Sequence, residues 1–457
     1  MKNFNKTEKV IFQIILGVVL VGLIILVVRL RPGSESISPG LPGAYPGPGE
    51  TDAGDAPLLS VTEAPYPPPG QEETQMAEND KPKPPQCEFT SENPDPQISD
   101  EAEINFQFSE PRIIFSNTAG IGIANWLQDG ERLLIVENNE IGKEAIKTIN
   151  IETGEAVIFG ERVGSGGKPV WLEQLNAVAY VTLEPDHTEL LLSTAEQKEP
   201  QLIASGVTGW SLAGNDNGLV FFSTETGDIP QVWQVDTQVI TAASDDLEQW
   251  EYQRFEGIAT VTFPGRTFAS ATQPHGNTMA FYGNSWLFFV GEGGSICEVD
   301  LKTINNVPVS VLSANWSENG RYLALITSAY IPGGKLPFSY VTILDFSSGK
   351  LTQIANEAQY INDIDWINNR YLLIMGADKT EYRKGRSLSE VYLADIFNPD
   401  QSVPNSNKLF GGGTTNGWEL AVSPGGNKIA VKCPLWLEEK PQVFEDHICI
   451  IDVTKNN

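Results

Sequence analysis

From residue 104 onward the chain is a succession of short apolar runs, four to eight residues long, cut by turn residues. Alternation and β-branched runs of this length predict strands, and helical periodicity is nearly absent after residue 100, which excludes a parallel α/β design. One signature recurs: an apolar residue, a turn closed by Gly, then the opening of a strand. It reads W-S-E-N-G-R-Y-L-A at 316–324, W-L-Q-D-G-E-R-L-L at 126–134, T-Q-P-H-G-N-T-M-A at 272–280 and V-S-P-G-G-N-K-I-A at 422–430. Looser copies begin at Trp171, Trp210 and Trp366. The seven anchors lie 39 to 62 residues apart, the spacing of β-propeller blades.

One unit can be read strand by strand. In the fifth, strands are expected over 311–316, 322–327, 340–346 and 351–355, with turns at 318–320 and 347–349. Four antiparallel strands per repeat make one blade, so the expected fold is all-β: a seven-bladed β-propeller over 104–457, with six or eight blades as alternatives because three copies are loose. The seventh unit runs out after a third strand at 447–452. Its fourth strand is expected from 104–108 or 113–115, an arrangement that removes an exposed edge.

The first hundred residues are built differently. Residues 10–28, bounded by Val10 and Val28, hold Gln13 as the clearly polar side chain. As a helix they span roughly 28 Å, about the hydrocarbon thickness of a bilayer, which predicts an uncleaved membrane anchor. Lys2, Lys6 and Lys9 against Arg29 and Arg31 orient residues 1–9 as a short cytoplasmic tail and place the bulk of the chain outside the cytoplasm. Residues 32–103 read as a disordered, acidic, Pro-rich linker. Fifteen of the 30 prolines and fifteen acids fall in 32–105 against Lys81 and Lys83, a composition that cannot offset chain entropy by burial. The whole chain carries a net charge of -29, which disfavours nucleic acid as a partner.

The S-P-x-G-x-x-I-A form at 423–430, with its variants, resembles the repeat of WD-repeat-like propellers of the TolB type and the prolyl-oligopeptidase type. The resemblance covers 104–457 and implies a ring of blades that binds a partner or gates a neighbouring domain. The chain departs from both relatives: no α/β domain precedes the repeats, no hydrolase domain follows them, and a membrane segment is present.

No chemistry-bearing motif stands out. A nucleophile elbow G-x-S-x-G is absent, and G-S-G-G-K at 164–168 runs into Pro169, so it reads as a loop between blades rather than a phosphate cradle. His187, His275 and His447 fall one per blade, and N-D-N-G at 215–218 lacks the Glu a calcium loop requires. No catalytic residue, metal or cofactor is therefore expected. Cys433 and Cys449 lie on the second and third strands of the last unit; a cross-strand disulfide is sterically allowed if register sets them opposite each other, with two buried thiols as the alternative. Cys87 and Cys297 have no assignable partner. The repeated Trp126, Trp171, Trp210, Trp316 and Trp366 are expected to pack between sheets rather than to form a sugar platform.

Function is expected in the loops. Strand alternation puts the loop between second and third strands on the same face as the connector between blades. These loops are long in the last three units: 329–339 with Tyr330, 379–389 with Lys379, Tyr382, Arg383, Lys384 and Arg386, and 434–446 with Trp436. The connector 242–266 carries Trp250, Tyr252 and Phe255 and is assigned to that face as well. The basic cluster in an acidic domain points to an anionic or protein partner. The expected function is non-enzymatic binding or scaffolding outside the cytoplasm. A metal-dependent propeller hydrolase or lactonase, with acids at the channel mouth, and an envelope sensor subunit are the alternatives.

Overall fold

The computed structural model describes residues 85–89, 104–117 and most of 120–456; the longer stretches outside it are 237–251, 255–268, 302–308, 330–338, 355–359, 378–389, 399–418 and 437–443. The described residues form antiparallel sheets that follow one another in chain order. After β1 (Asn105–Phe108) and β2 (Arg112–Asn117), the first sheet is β3 (Ile121–Trp126), β4 (Arg132–Glu140), β5 (Lys143–Asn150) and β6 (Ala156–Val163). The second is β7 (Val170–Leu172), β8 (Ala177–Leu183), β9 (Thr188–Thr194) and β10 (Gln201–Ser205); the third is β11 (Ala213–Gly214), β12 (Leu219–Thr226), β13 (Ile229–Asp236) and β14 (Tyr252–Arg254). The fourth holds β15 (Ala269–Thr272), β16 (Met279–Gly283), β17 (Trp286–Val290) and β18 (Ile296–Glu298); the fifth holds β19 (Val309–Trp316), β20 (Tyr322–Ala329), β21 (Ser339–Asp345) and β22 (Lys350–Ile354). The sixth has β23 (Tyr360–Trp366), β24 (Tyr371–Ala377) and β25 (Glu390–Asp395). The last is built from β26 (Leu420–Val422), β27 (Lys428–Lys432), β28 (Leu435–Trp436) and the long β29 (Phe444–Asn456).

From the second sheet onward each sheet adjoins the next through its inner strand, the first meets the second through β6 against β8 and β9, and β26 lies against β3, so the described sheets close into a β-propeller. Six sheets reach four strands or more, whereas the sixth in order has three among the described residues. The expectation of seven four-stranded blades is thereby corrected to six; the chain that would supply a fourth strand after β25 falls in 399–418, outside the described residues. Ring closure uses both N-terminal candidates. β2 pairs with the first half of β29 (Ile113↔Cys449, Asn117↔Asp446) and β1 with its second half (Asn105↔Asn456, Phe108↔Val453). One long strand thus serves two short ones, which covers the outer edge of the last sheet.

The recurring turn works by local side-chain capping. Asp129 Oδ1 accepts from the N–H groups of Glu131 and Arg132 at 2.9 and 3.0 Å, and Ser423 Oγ accepts from Lys428 N at 2.9 Å. Gly426 sits at φ +65° with the Ile367 carbonyl against its Cα, so both the conformation and the space exclude a side chain. Next along the unit, Arg321 pairs with Asp345 at 3.2 Å and Arg370 with Asp395 at 2.6 Å, tying the start of each second strand to the end of the third. Burial alone would raise both carboxyls, but the hydrogen bonds from Arg321 and Ser347 to Asp345 and from Arg370, Phe397 and Asn398 to Asp395, together with the arginine charges, outweigh it and hold them below the usual carboxylate range.

The repeated tryptophans join blades. Trp126 Nε1 donates to Ala421 O at 2.9 Å, Trp316 Nε1 to Ala271 O at 3.2 Å and Trp366 Nε1 to Asn315 O at 3.0 Å. Each bond runs from the end of one inner strand to the inner strand of the preceding sheet. Trp171 keeps its N–H on Glu173 but packs edge-on against Phe159 of the first sheet, 5.4 Å between ring centres. Trp210 lies outside the described residues. A register shift recurs just before the indole in the first, fifth and sixth sheets, between Ile123 and Asn125, Val311 and Ser313, and Ile361 and Asp363. Such bulges increase the local twist that lets an inner strand meet its neighbour.

Both disulfides are formed, Cys433–Cys449 and Cys87–Cys297. Within the last sheet Val431 is directly opposite Cys449, and Cys433 N donates to His447 O. Cys433 and Cys449 are therefore diagonal neighbours on one face rather than opposite residues, with Cα atoms 6.0 Å apart. Among the described residues no helix is long and apolar enough to cross a membrane; the apolar stretch 10–28 lies outside them.

Candidate functional site

Strand direction divides the propeller into two rims. One carries the capped turns between first and second strands. The other carries the connectors between sheets and the loops between second and third strands, which are two to four residues long in the first four sheets (141–142, 184–187, 227–228, 284–285). In the later sheets the corresponding segments are 330–338, 378–389 and 433–443. The third sheet changes one assignment. Because β14 lies inside the stretch read as a single connector, 237–251 links a third strand to a fourth, and the strand ends that flank it, Asp236 and Tyr252, lie on the capped-turn rim; Trp250 is outside the described residues. Only 255–268, with Phe255, joins strand ends on the loop rim. The cause is a three-residue strand without any pattern of its own, held by pairing Tyr252 with Val235 and Arg254 with Trp233.

On the loop rim, where the last sheet meets the first and sixth, buried polar side chains interlock. Lys432, at the end of β27, pairs with Asp446 on β29 at 2.9 Å, the side chains being 3% and 12% exposed. Asp446 Oδ2 also accepts from Ile121 N of the first sheet at 3.4 Å. His447 Nδ1 is bonded to Ser116 Oγ of β2 at 2.6 Å. In the first sheet Glu137 takes hydrogen bonds from Lys147 and from Asn117 of β2. Across the other seam, Asp363 Oδ2 accepts from the backbone N–H groups of Glu419 and Leu420 at 2.9 and 3.1 Å. The carboxylates of Asp446, Glu137 and Asp363 are thus engaged by backbone, amide or lysine donors, which ties the seams together beneath the segments that leave this rim.

Asp365 lies two residues further along β23 in the same seam. Its Oδ1 accepts from Trp366 N at 2.8 Å and from Asn315 Nδ2 of the fifth sheet at 2.9 Å, while Oδ2 accepts from Val422 N of the last sheet at 2.6 Å. Burial pushes this carboxyl up to about 6; hydrogen bonds from Val422 and Trp366 oppose the shift, nearby Asp363 adds to it, and Lys168 opposes it. Three sheets therefore converge on one titratable group.

Of the residues predicted to bind a partner, Lys379, Tyr382, Arg383, Lys384, Arg386, Trp250 and Tyr330 lie outside the described residues. Trp436 is on β28, paired with Phe444 at the start of β29. The histidines do not gather: His187 is exposed beside Glu189, His447 belongs to the seam, and His275 is outside the described residues. Among the described residues no three or more His, Cys, Asp or Glu side chains converge as a metal donor set. G-S-G-G-K at 164–168 falls in the connector from β6 to β7, where the Gly167 carbonyl accepts from the buried Arg162 at 2.8 Å. N-D-N-G at 215–218 is outside the described residues. Sequence reasoning missed the seam carboxylates, which carry no local signature because their partners come from other blades.

No family model matches the chain, and no curated protein matches it in sequence. Solved structures do resemble it. TolB from Acinetobacter baumannii is 12% identical with a TM-score of 0.37, covering 68% of this chain and 78% of that one. Two prolyl endopeptidases, described together, are represented by a chain 10% identical with a TM-score of 0.45, covering 75% of this chain and 51% of that one. The GH74 xyloglucanase from Xanthomonas campestris is 12% identical with a TM-score of 0.45, covering 72% and 52%. This chain spans about half the length of the latter two. The assignment of the chain as a β-propeller rests on its own sheet topology.

Proposed function

We propose that the chain is a non-enzymatic binding or scaffolding propeller, held at a membrane by residues 10–28 with its blades outside the cytoplasm. The observation that carries the binding role is the asymmetry of the two rims. Three successive sheets send their long second-to-third-strand segments from the loop rim, and the segment 378–389 supplies Lys379, Arg383, Lys384 and Arg386 in a strongly acidic chain. An anionic or protein partner fits that chemistry, with Tyr382, Tyr330 and Trp436 as its aromatic contacts. Trp250 leaves this surface, since its segment starts from the other rim.

The extracytoplasmic placement is supported by the disulfides. All four cysteines of the chain are paired, as oxidising compartments allow and reducing ones disfavour.

The test uses full-length protein in its own membranes. Protease added outside intact cells or to right-side-out vesicles should reach the propeller and not residues 1–9; protection of the propeller would refute the placement. Crosslinking through a photoreactive residue at position 436 should yield a discrete adduct that is lost on reversing charge at Arg383 and Arg386. An adduct unchanged by that reversal would refute the basic cluster as the contact.

A further inference from the structure

Residues 85–89 lie about 210 positions before β18 in sequence, yet they join its edge. Cys87 N donates to Glu298 O at 2.9 Å and Glu298 N donates to Pro85 O at 2.8 Å, so Gln86 bridges Glu298 in parallel along the outer edge of β18. The Cys87–Cys297 disulfide, with Cα atoms 4.8 Å apart, locks this strap to the fourth sheet. Phe89 then reaches the fifth sheet, edge-on to Phe346 with ring centres 6.0 Å apart, and lies over Gly349, where φ is +70° and any side chain would take its place. Cys87, Phe89 and Cys297 all pack on the apolar cluster shared by the fourth and fifth sheets.

The two disulfides differ in what they hold. Cys433–Cys449 lies inside the last sheet, where β27 and β29 are paired by backbone hydrogen bonds in any case, and Cys449 is 3% exposed. Cys87–Cys297 lies at a sheet edge, partly exposed, and fastens a strap otherwise held by two backbone hydrogen bonds, a long exposed bond from Gln86 Nε2 to Glu298 Oε2 and the packing of Phe89. Breaking the first releases nothing; breaking the second removes the main restraint on an otherwise marginal attachment.

We propose that Cys87–Cys297 is a redox-releasable clamp that sets where the N-terminal chain leaves the propeller. In the oxidised state that point is the edge of β18 on the fourth sheet. In the reduced state the strap detaches and the point moves to β1 on the last sheet, three sheets further round the ring. The seventeen residues 88–104 are then added to the tether, roughly 55–60 Å when extended. The co-reactant is a dithiol reductant. Its thiolate attacks one sulfur of the pair to give a mixed disulfide and a protein thiolate; its second thiolate then displaces the other protein sulfur. The reductant ends as a cyclic disulfide, and two protons give Cys87 and Cys297 as thiols.

The experiment treats the full-length protein with graded dithiothreitol, alkylates the exposed thiols, and reads each cysteine by mass spectrometry together with amide hydrogen exchange. The expected result is alkylation of Cys87 and Cys297 at reductant levels that leave Cys433–Cys449 intact. Amide protection at Cys87 and Glu298 should be lost while the amides of β16 and β17 stay protected. The Cys87→Ser, Cys297→Ser double variant should show the same local loss without reductant, and Phe89→Ala with the disulfide intact should keep the protection. Reduction of both disulfides together, or protection of the Cys87 and Glu298 amides persisting after their thiols are alkylated, would overturn the proposal.

Discussion

Asp365 offers the sharpest physical test of how the blades are joined. As a residue it keeps some exposed surface, yet both carboxylate oxygens are engaged, Oδ1 by Trp366 N and Asn315 Nδ2 and Oδ2 by Val422 N. Burial raises the carboxyl from an ordinary value of 3.8 to about 6. The folded protein therefore binds more protons than the unfolded chain between those values. The group's contribution to stability is fully present below about pH 4 and is lost as pH rises through about 6. A rise of that size corresponds to about 3 kcal/mol, reduced toward about 2 by the residual exposure. Asp365→Asn abolishes the titration and replaces one acceptor oxygen by an amide donor, which leaves a buried N–H without its acceptor at a cost of about 1–3 kcal/mol. Urea unfolding of wild type and variant between pH 4 and 8, followed by tryptophan fluorescence, cancels the other carboxylates in the difference. The stability of wild type relative to the variant should fall by about 2–3 kcal/mol from the acid to the alkaline end. A flat difference, or one that rises with pH, would refute the dominance of desolvation at this seam.

Three further outcomes follow from the same geometry. Trp366→Phe keeps an aromatic ring but removes the indole N–H that donates to Asn315 O, a carbonyl that stays in the β19–β20 ladder, so a loss of about 0.5–1.5 kcal/mol in unfolding free energy is expected from the hydrogen bond, and a neutral result would show that the indole bond across blades is dispensable. Lys432→Met leaves Asp446 buried without its cation and should cost about 3–5 kcal/mol by denaturant titration, with much of it recovered when Asp446→Leu is added; equal losses in single and double variants would contradict this. Replacing Cys433 and Cys449 by Ser opens a short loop and should lower stability by about 3 kcal/mol on chain-entropy grounds. In that variant the β27–β29 amides should remain protected in hydrogen exchange, because backbone pairing alone holds the strands.

Much of the propeller was legible in the chain because its determinants are local. The turn at 423–426 needs a hydroxyl, a Gly at positive φ and a strand on each side, all within a few residues, so the copies that keep these residues are evident in the sequence. The strands over 309–354 follow alternation and turn residues, and the exhausted last unit called for an N-terminal strand, which β1 and β2 both provide. What depends on partners far along the chain was not legible. Cys87 and Cys297 are separated by 210 residues, and only the ring brings the strap to β18. β14 has no pattern of its own and is held by pairing with β13; its presence puts the strand ends that flank 237–251 on the other rim. Asp363 and Asp365 look like ordinary acids in an acidic chain until β26 sets three N–H groups before them. Local backbone preference and side-chain capping therefore determined the repeating unit from the sequence alone. The seams, the clamp and the choice of rim were decided only in the tertiary structure, because each is a contact between groups whose proximity is created by closing the ring.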